Sequence, residues 1–333
     1  MSFTPSYLAL YDSGVLKHRV EALRERLSDC DICPRKCRVD RVAGEKGYCE
    51  SGRLAYICSY CDHYGEEPPL SGANGSGTIF MGRCNLRCVY CQNADISQKK
   101  IWPEEYLHKA THIARIMLHL QDVLGCHNIN FVSPTHFIPQ IVEAVYLAIP
   151  LGLHIPLVYN SNGYDDPAAL KLLDGIFDIY LPDLKYADDR TARKFSAVPG
   201  YPGAARQAVS EMFRQVGLLQ TDTNGIAMRG LIIRHLVLPN DLSGSIETLR
   251  WIAGNLSPKV TISLMAQYYP AHRASDVPLL SRTLRFQEYE RVLNELHHLN
   301  FENALYQELK AEACYRPHFF EGNHPFENRE ESC

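Results

Sequence analysis

Six short apolar runs punctuate the chain: Thr78–Gly82, Asn128–Ser133, Pro156–Asn160, Phe177–Leu181, Leu231–Val237 and Val260–Met265. Each is continuous and rich in β-branched or aromatic residues, without the alternation of a half-exposed strand. Such runs predict strands buried on both faces, as in a parallel sheet. Amphipathic stretches lie between and after them: Pro103–Leu124, Pro139–Ile149, Pro167–Leu173, Ala204–Val216, Ser245–Asn255 and Phe286–Leu299. The first opens on proline and two glutamates, which suits a helix N-terminus, and its Ile113, Ile116, Met117, Leu120 and Leu124 share one face. Six strand–helix alternations predict an α/β chain folded as a partial (β/α)6 barrel. Functional residues in such barrels collect at the carboxyl ends of the strands.

The first 72 residues hold six cysteines and end in a stretch dense in glycine and proline, Glu66-Glu67-Pro68-Pro69-Leu70-Ser71-Gly72-Ala73-Asn74-Gly75-Ser76-Gly77. That density breaks helices and central strands, so the organisation expected is a Cys-rich N-terminal extension over 1–72, a core over 73–300 and a tail over 301–333.

Composition narrows the chemistry. The 333 residues are 46% apolar and 22% charged, enough for a core of ordinary size. A net charge of −4 with no Lys/Arg stripe, Lys99-Lys100 being a single pair, excludes a nucleic-acid footprint. The most apolar window, 141–159, is broken by Glu143, Pro150, Gly152, His154 and Pro156, so no membrane span is expected. Met1-Ser2-Phe3-Thr4-Pro5 has no basic, then apolar, leader pattern. Twelve cysteines then argue for metal or redox chemistry in a reducing compartment, and a cytoplasmic location is expected.

The densest cysteine run is Gly82-Arg83-Cys84-Asn85-Leu86-Arg87-Cys88-Val89-Tyr90-Cys91-Gln92-Asn93. It falls just after the first predicted strand. Three soft thiolates spaced C-x3-C-x2-C can wrap one face of a 4Fe–4S cube and leave one iron open. A structural zinc would want a fourth protein ligand. The run, with Tyr90 before the third cysteine, resembles the signature of the radical S-adenosylmethionine superfamily. The resemblance implies a 4Fe–4S cluster on Cys84, Cys88 and Cys91, with S-adenosyl-L-methionine on the open iron. It also implies a partial barrel and reductive cleavage to a 5′-deoxyadenosyl radical.

Other strand ends extend the resemblance. Asn160-Ser161-Asn162-Gly163 is similar to the Thr-Asn-Gly turn of activating enzymes, Leu181-Pro182-Asp183-Leu184-Lys185 contains their Asp-Leu-Lys, and Ile232-Ile233-Arg234 matches their Ile-Arg. Superfamily members often carry Gly-Gly-Glu after the second strand. This chain has Ser133-Pro134-Thr135-His136 there instead, where Ser133 and Thr135 could meet the cofactor's amino group or merely cap a helix. Tyr90, Ser133, Asn162, Asp183, Lys185, Arg234 and Gln267 are therefore the candidate cofactor-binding residues, with Tyr268 and Tyr269 close behind. A buried Arg234 needs an anion, which a ligand carboxylate or a structural acid would both supply.

Cys30, Cys33, Cys37 and Cys49 follow C-x2-C-x3-C-x11-C, and with Gly65-Glu66-Glu67-Pro68-Pro69, Gly75-Ser76-Gly77 and Cys91-Gln92-Asn93 resemble the pyruvate formate-lyase activating enzyme-related, PflX-type, iron–sulfur proteins over residues 28–300. Four thiolates so spaced suit a closed zinc site or a second iron–sulfur cluster. Cys58 and Cys61 lie outside that pattern. Cys126, Cys314 and Cys333 have no spaced partner and read as incidental thiols. His108, His112 and His119 read as solvated histidines of the first long helix, and no Walker-type phosphate loop is present. The expected function is a radical enzyme with a flavodoxin- or ferredoxin-type electron donor. A glycyl radical protein is its narrower substrate reading. The alternatives are radical modification of a peptide or metabolite, or a non-catalytic iron–sulfur or zinc protein.

Overall fold

The computed structural model describes residues 3–99 and 103–309, together with 317, 319 and 324–326. Lys100, Cys314 and Cys333 lie outside the described residues. The strands are β1 (Ala55–His63), β2 (Ser76–Met81), β3 (Leu107–His108), β4 (Ile129–Val132), β5 (Leu157–Asn160), β6 (Ile179–Tyr180), β7 (Gln220–Thr221), β8 (Ala227–Leu236), β9 (Thr261–Met265) and β10 (Ala304–Tyr306). They form one sheet in the order β10-β9-β8-β6-β5-β4-β2-β1-β3, with β7 beside β8.

The six predicted runs are β2, β4, β5, β6, β8 and β9, and each pairs in parallel with the next in chain order. The fold is α/β with a mostly parallel central sheet. Every residue of β2, β5 and β9 is buried, as two-sided coverage requires. The sheet is open, ending in β3 and β10. Residues following β2 and β9, five neighbours apart, nevertheless line one cavity. A flat sheet spaced at about 4.8 Å per strand could not bring them together, so the sheet is strongly curved.

Covering helices follow the sequence expectation closely at Ile138–Ala148, Pro167–Lys171, Tyr201–Val216, Ser245–Asn255 and Phe286–His298. The helix expected from Pro103 begins at Ala110 instead. Glu104–Tyr106 makes a short 3-10 turn, and Leu107–His108 pairs with Tyr56 and Ala55 of β1. Ala110–Asp122 buries Ile113, Ile116, Met117 and Leu120, each worth about 1.5–3 kcal/mol of transfer free energy. Leu124 falls beyond the helix and is exposed. His108 is thereby off the helix, its ring stacked on His112 at 4.3 Å, and burial followed by the His112 charge lowers it to about 4.

Before the boundary expected at 72, β1 pairs antiparallel with β2, so the Cys-rich segment continues directly into the central sheet. Its Cys58 and Cys61 are buried thiols on that strand. At the other end, β10 adds in parallel to β9. Two amino-terminal helices, Ser6–Asp12 and Val15–Glu25, had no sequence expectation. Among the described residues no helix is long and apolar enough to cross a membrane.

Candidate active site

A cavity of about 950 Å³, counted out to its open mouth, lies at the carboxyl ends of the parallel strands. Cys84, Cys88, Cys91, Tyr90, Ser133, Asn162, Asp183, Lys185, Arg234 and Gln267 all line it, as do Tyr268 and Tyr269. The strand-end rule explains the convergence. Each of these side chains sits on a loop or strand end pointing to the same side of the sheet.

The cysteine loop leaves β2 through Arg83, whose backbone is left-handed at φ 70°. It is held from outside by Arg87 N→Ser196 O at 3.0 Å and Val89 N→Phe195 O at 2.8 Å. Each sulfur has a polar neighbour. Asn162 Nδ2 and Leu86 N both donate to Cys84 Sγ at 3.4 Å. Ser196 Oγ donates to Cys88 Sγ at 3.0 Å, and Ser97 Oγ lies 3.3 Å from Cys91 Sγ. Burial raises all three thiols, Cys88 to about 12. Metal binding here must therefore displace protons.

Tyr90 donates its hydroxyl to Tyr186 at 2.6 Å, and Tyr186 lies 2.6 Å from Ser196 Oγ. Its ring meets Tyr268 edge-on at 5.9 Å. Gln267 accepts from Gln307 Nε2 at 3.0 Å. Ser133 takes a left-handed φ of 59°, a conformation that glycine favours, so the turn after β4 has a glycine-type shape without the Gly-Gly sequence. Thr135 is not on the cavity wall. Its hydroxyl donates to Asp165 at 2.7 Å, alongside Tyr159 at 2.7 Å and Ser161 at 2.6 Å.

Arg234 and Lys185 converge on Asp183. Lys185 Nζ donates to Oδ2 at 2.6 Å and Arg234 Nε to Oδ1 at 2.9 Å, while Arg234 Nη2 donates to Asn160 Oδ1 at 2.6 Å. Glu66 Oε2 lies 3.6 Å from Arg234 Nη1. The partly buried arginine thus has structural acids for partners. Burial alone would raise Asp183, but Arg234 and Lys185 outweigh it and hold the carboxyl below its ordinary value. Burial opposes charge on Lys185, yet Asp183 raises it on balance. Glu67, also buried, is pushed up to about 7 by burial, against the pull of Arg234.

Cys30, Cys33, Cys37 and Cys49 line a second, narrow pocket, whose wall includes Asn85 of the Cys84–Cys91 loop. Cys58 and Cys61 are not part of it. Among the described residues no three or more His, Cys, Asp or Glu side chains are spaced to share a single metal ion, and this covers both thiol sets. Ligands of an iron–sulfur cube bind different irons and need no common point. The residues of the first cavity fit a 4Fe–4S cluster with a small organic ligand. Three thiols share a wall with Asn93, whose buried Oδ1 has no hydrogen-bond partner. Sequence reasoning missed Ser97, Tyr186 and Ser196, since single hydroxyls carry no spacing signal.

The Radical SAM superfamily profile matches residues 78–237. The uncharacterized protein MJ0674 of Methanocaldococcus jannaschii is 31% identical over 296 residues, covering 87% of this chain and 80% of that protein. Among solved structures, HydG, a maturase of the FeFe-hydrogenase, aligns with TM-score 0.46 and 10% identity, over 68% of this chain and 50% of that one. Methylornithine synthase aligns with TM-score 0.43 and 14% identity, over 77% of this chain and 76% of that one.

Proposed function

The chain belongs to the radical SAM superfamily, and from that premise we propose that this enzyme cleaves S-adenosylmethionine reductively to activate a glycyl radical protein. The observation that carries the reading is the convergence of Cys84, Cys88 and Cys91 with Asp183, Lys185 and Arg234 on one cavity. Cys84, Cys88 and Cys91 would hold a 4Fe–4S cluster beside the S-adenosylmethionine site, and the pair would supply one-electron reductive cleavage and hydrogen abstraction from the substrate.

This chain's own residues bind and orient. Lys185 offers its ammonium to the cofactor's carboxylate, with Asp183 fixing the side chain by its 2.6 Å bond. Asp183 accepts from the ribose hydroxyls. The left-handed Ser133 turn presents backbone to the methionyl amine. Tyr90 and Tyr268 pack an aromatic wall that excludes water from the reacting carbon. No side chain acts as acid or base in the cleavage, since the hard chemistry belongs to the cofactors. The glycyl radical substrate is supported by the Asp183-Leu184-Lys185 and Ile233-Arg234 segments, which resemble those of activating enzymes. A flavodoxin- or ferredoxin-type protein is the proposed donor.

Anaerobically reconstituted, reduced protein is expected to form 5′-deoxyadenosine, and Cys84→Ala, Cys88→Ala and Cys91→Ala each to abolish it. Wild-type cleavage in any of the three overturns the cluster assignment. Incubation with a glycyl radical enzyme from the same organism should yield a glycyl doublet in the electron paramagnetic resonance spectrum. Cleavage without that doublet points instead to a peptide or metabolite substrate.

A further inference from the structure

We propose that Cys30, Cys33, Cys37 and Cys49 hold an iron–sulfur cluster of their own, which relays electrons to the cluster on Cys84, Cys88 and Cys91. The relay rests on the radical reading above; the metal site does not.

The chamber is built around its sulfurs. All four cysteines line one cavity, with Arg35, Lys36 and Arg41 on the same wall. Tyr48 N–H donates to Cys37 Sγ at 3.4 Å, and Arg41 Nη1 lies 3.9 Å from Cys30 Sγ. A Cβ on Gly47 would come within 2.8 Å of both Cβ and Sγ of Cys37, so glycine lets the chain wrap that thiol. Amide donors and cations beside thiolates are what an anionic cluster needs. Four thiolates complete a cube without an outside ligand. Such a cluster has no open iron for S-adenosylmethionine and is left with electron transfer.

Position distinguishes a relay from a staple. Asn85 lines this chamber and is bonded in sequence to Cys84. Its Oδ1 accepts at 2.7 Å from Asn162 Nδ2, which also donates to Cys84 Sγ. A second connection runs through Tyr48. Its carbonyl accepts from Arg87 Nη2 at 2.7 Å, and Arg87 Nη1 donates to Cys84 O at 2.6 Å. One hydrogen-bonded route through Tyr48 and Arg87, and Asn85 lining both loops' boundary, thus join the thiol sets. Zinc, without redox chemistry, gains nothing from that adjacency. On the outer side Lys36 keeps 54% of its side chain in solvent, so the chamber lies near the surface where a donor docks.

The electrons balance. One enters the four-cysteine centre from a reduced flavodoxin or ferredoxin, which is oxidised by one electron. One leaves for the three-cysteine cluster and ends on the sulfonium, so the relay centre returns to its starting state.

The test uses full-length protein reconstituted anaerobically with iron and sulfide. The triple variant Cys84→Ala/Cys88→Ala/Cys91→Ala should retain about four irons and four sulfides and give a reducible paramagnetic signal. Should that variant fail to fold, the wild type decides, with about eight irons per chain expected against about four. Stoichiometric zinc, or a metal-free triple variant with reactive thiols, overturns the site. For the relay, the rate of 5′-deoxyadenosine formation with reduced flavodoxin is divided by the rate with dithionite. Replacing Cys30, Cys33, Cys37 and Cys49 by serine should lower that ratio by about tenfold or more. An unchanged ratio overturns the relay and leaves the metal count standing separately.

Discussion

Ser196 donates its hydroxyl to Cys88 Sγ at 3.0 Å, across 108 positions of sequence. It reaches the sulfur because the helix Asp189–Ser196, capped by Asp188 accepting from Thr191 N, lies alongside the cysteine loop. Tyr186 and Tyr90 extend the contact into a chain of hydroxyls on the same side of the cavity. A donor to a cluster thiolate favours the more negative, reduced state of the cluster. Removing it should make reduction harder.

Ser196→Ala is therefore expected to keep its iron and lower the cluster's reduction potential. Loss of about 1 kcal/mol of hydrogen bonding corresponds to roughly 40 mV for a one-electron couple. A redox titration followed by electron paramagnetic resonance measures the shift. An unchanged potential would remove Ser196 from any tuning role.

Lys185→Ala leaves Asp183 with one cation instead of two on the cavity wall. S-adenosylmethionine binding should weaken by about 1–3 kcal/mol, from loss of a charge-assisted contact and from the uncovered carboxylate. Calorimetry on the reconstituted protein provides the number. Affinity unchanged from wild type in both Lys185→Ala and Arg234→Ala would mean the cofactor carboxylate lies elsewhere.

Gly163 has φ +79°, and a Cβ there would overlap the Asp183 carbonyl oxygen. Gly163→Ala should cost about 2 kcal/mol or more in stability and push Asp183 out of register with Arg234. Thermal denaturation and S-adenosylmethionine affinity should both fall. A variant as stable as wild type would show that the turn can relax.

Glu67 makes stability depend on pH. Burial raises it from 4.5 to about 7, so it binds its proton more tightly folded than unfolded. Its contribution is complete below the unfolded value and is lost as pH rises through about 7. Thermal stability should decline between about pH 4.5 and 7, by about 3 kcal/mol at most from this group, and Glu67→Gln should flatten the decline. The same slope in the variant would assign it to other groups.

The sequence by itself determined the six parallel strands, their order and the residues at their ends. Continuous apolar runs report two-sided burial directly, and a strand end fixes where the next few side chains emerge. The spacing of Cys84, Cys88 and Cys91 was legible for a similar reason, since these thiols are neighbours along the chain and share one cavity wall. Tertiary structure alone decided the rest. Nothing local tells Ala55–His63 to pair antiparallel with β2, Thr135 to spend its hydroxyl on Asp165, or Arg234 to meet Asp183 and Glu66. Cys37 and Cys84 are 47 positions apart, and only packing brings their loops into contact through Tyr48, Arg87 and Asn85. Periodicity encodes how deeply a side chain is buried. The partner it meets there depends on the curvature of the sheet and on the chain that covers it.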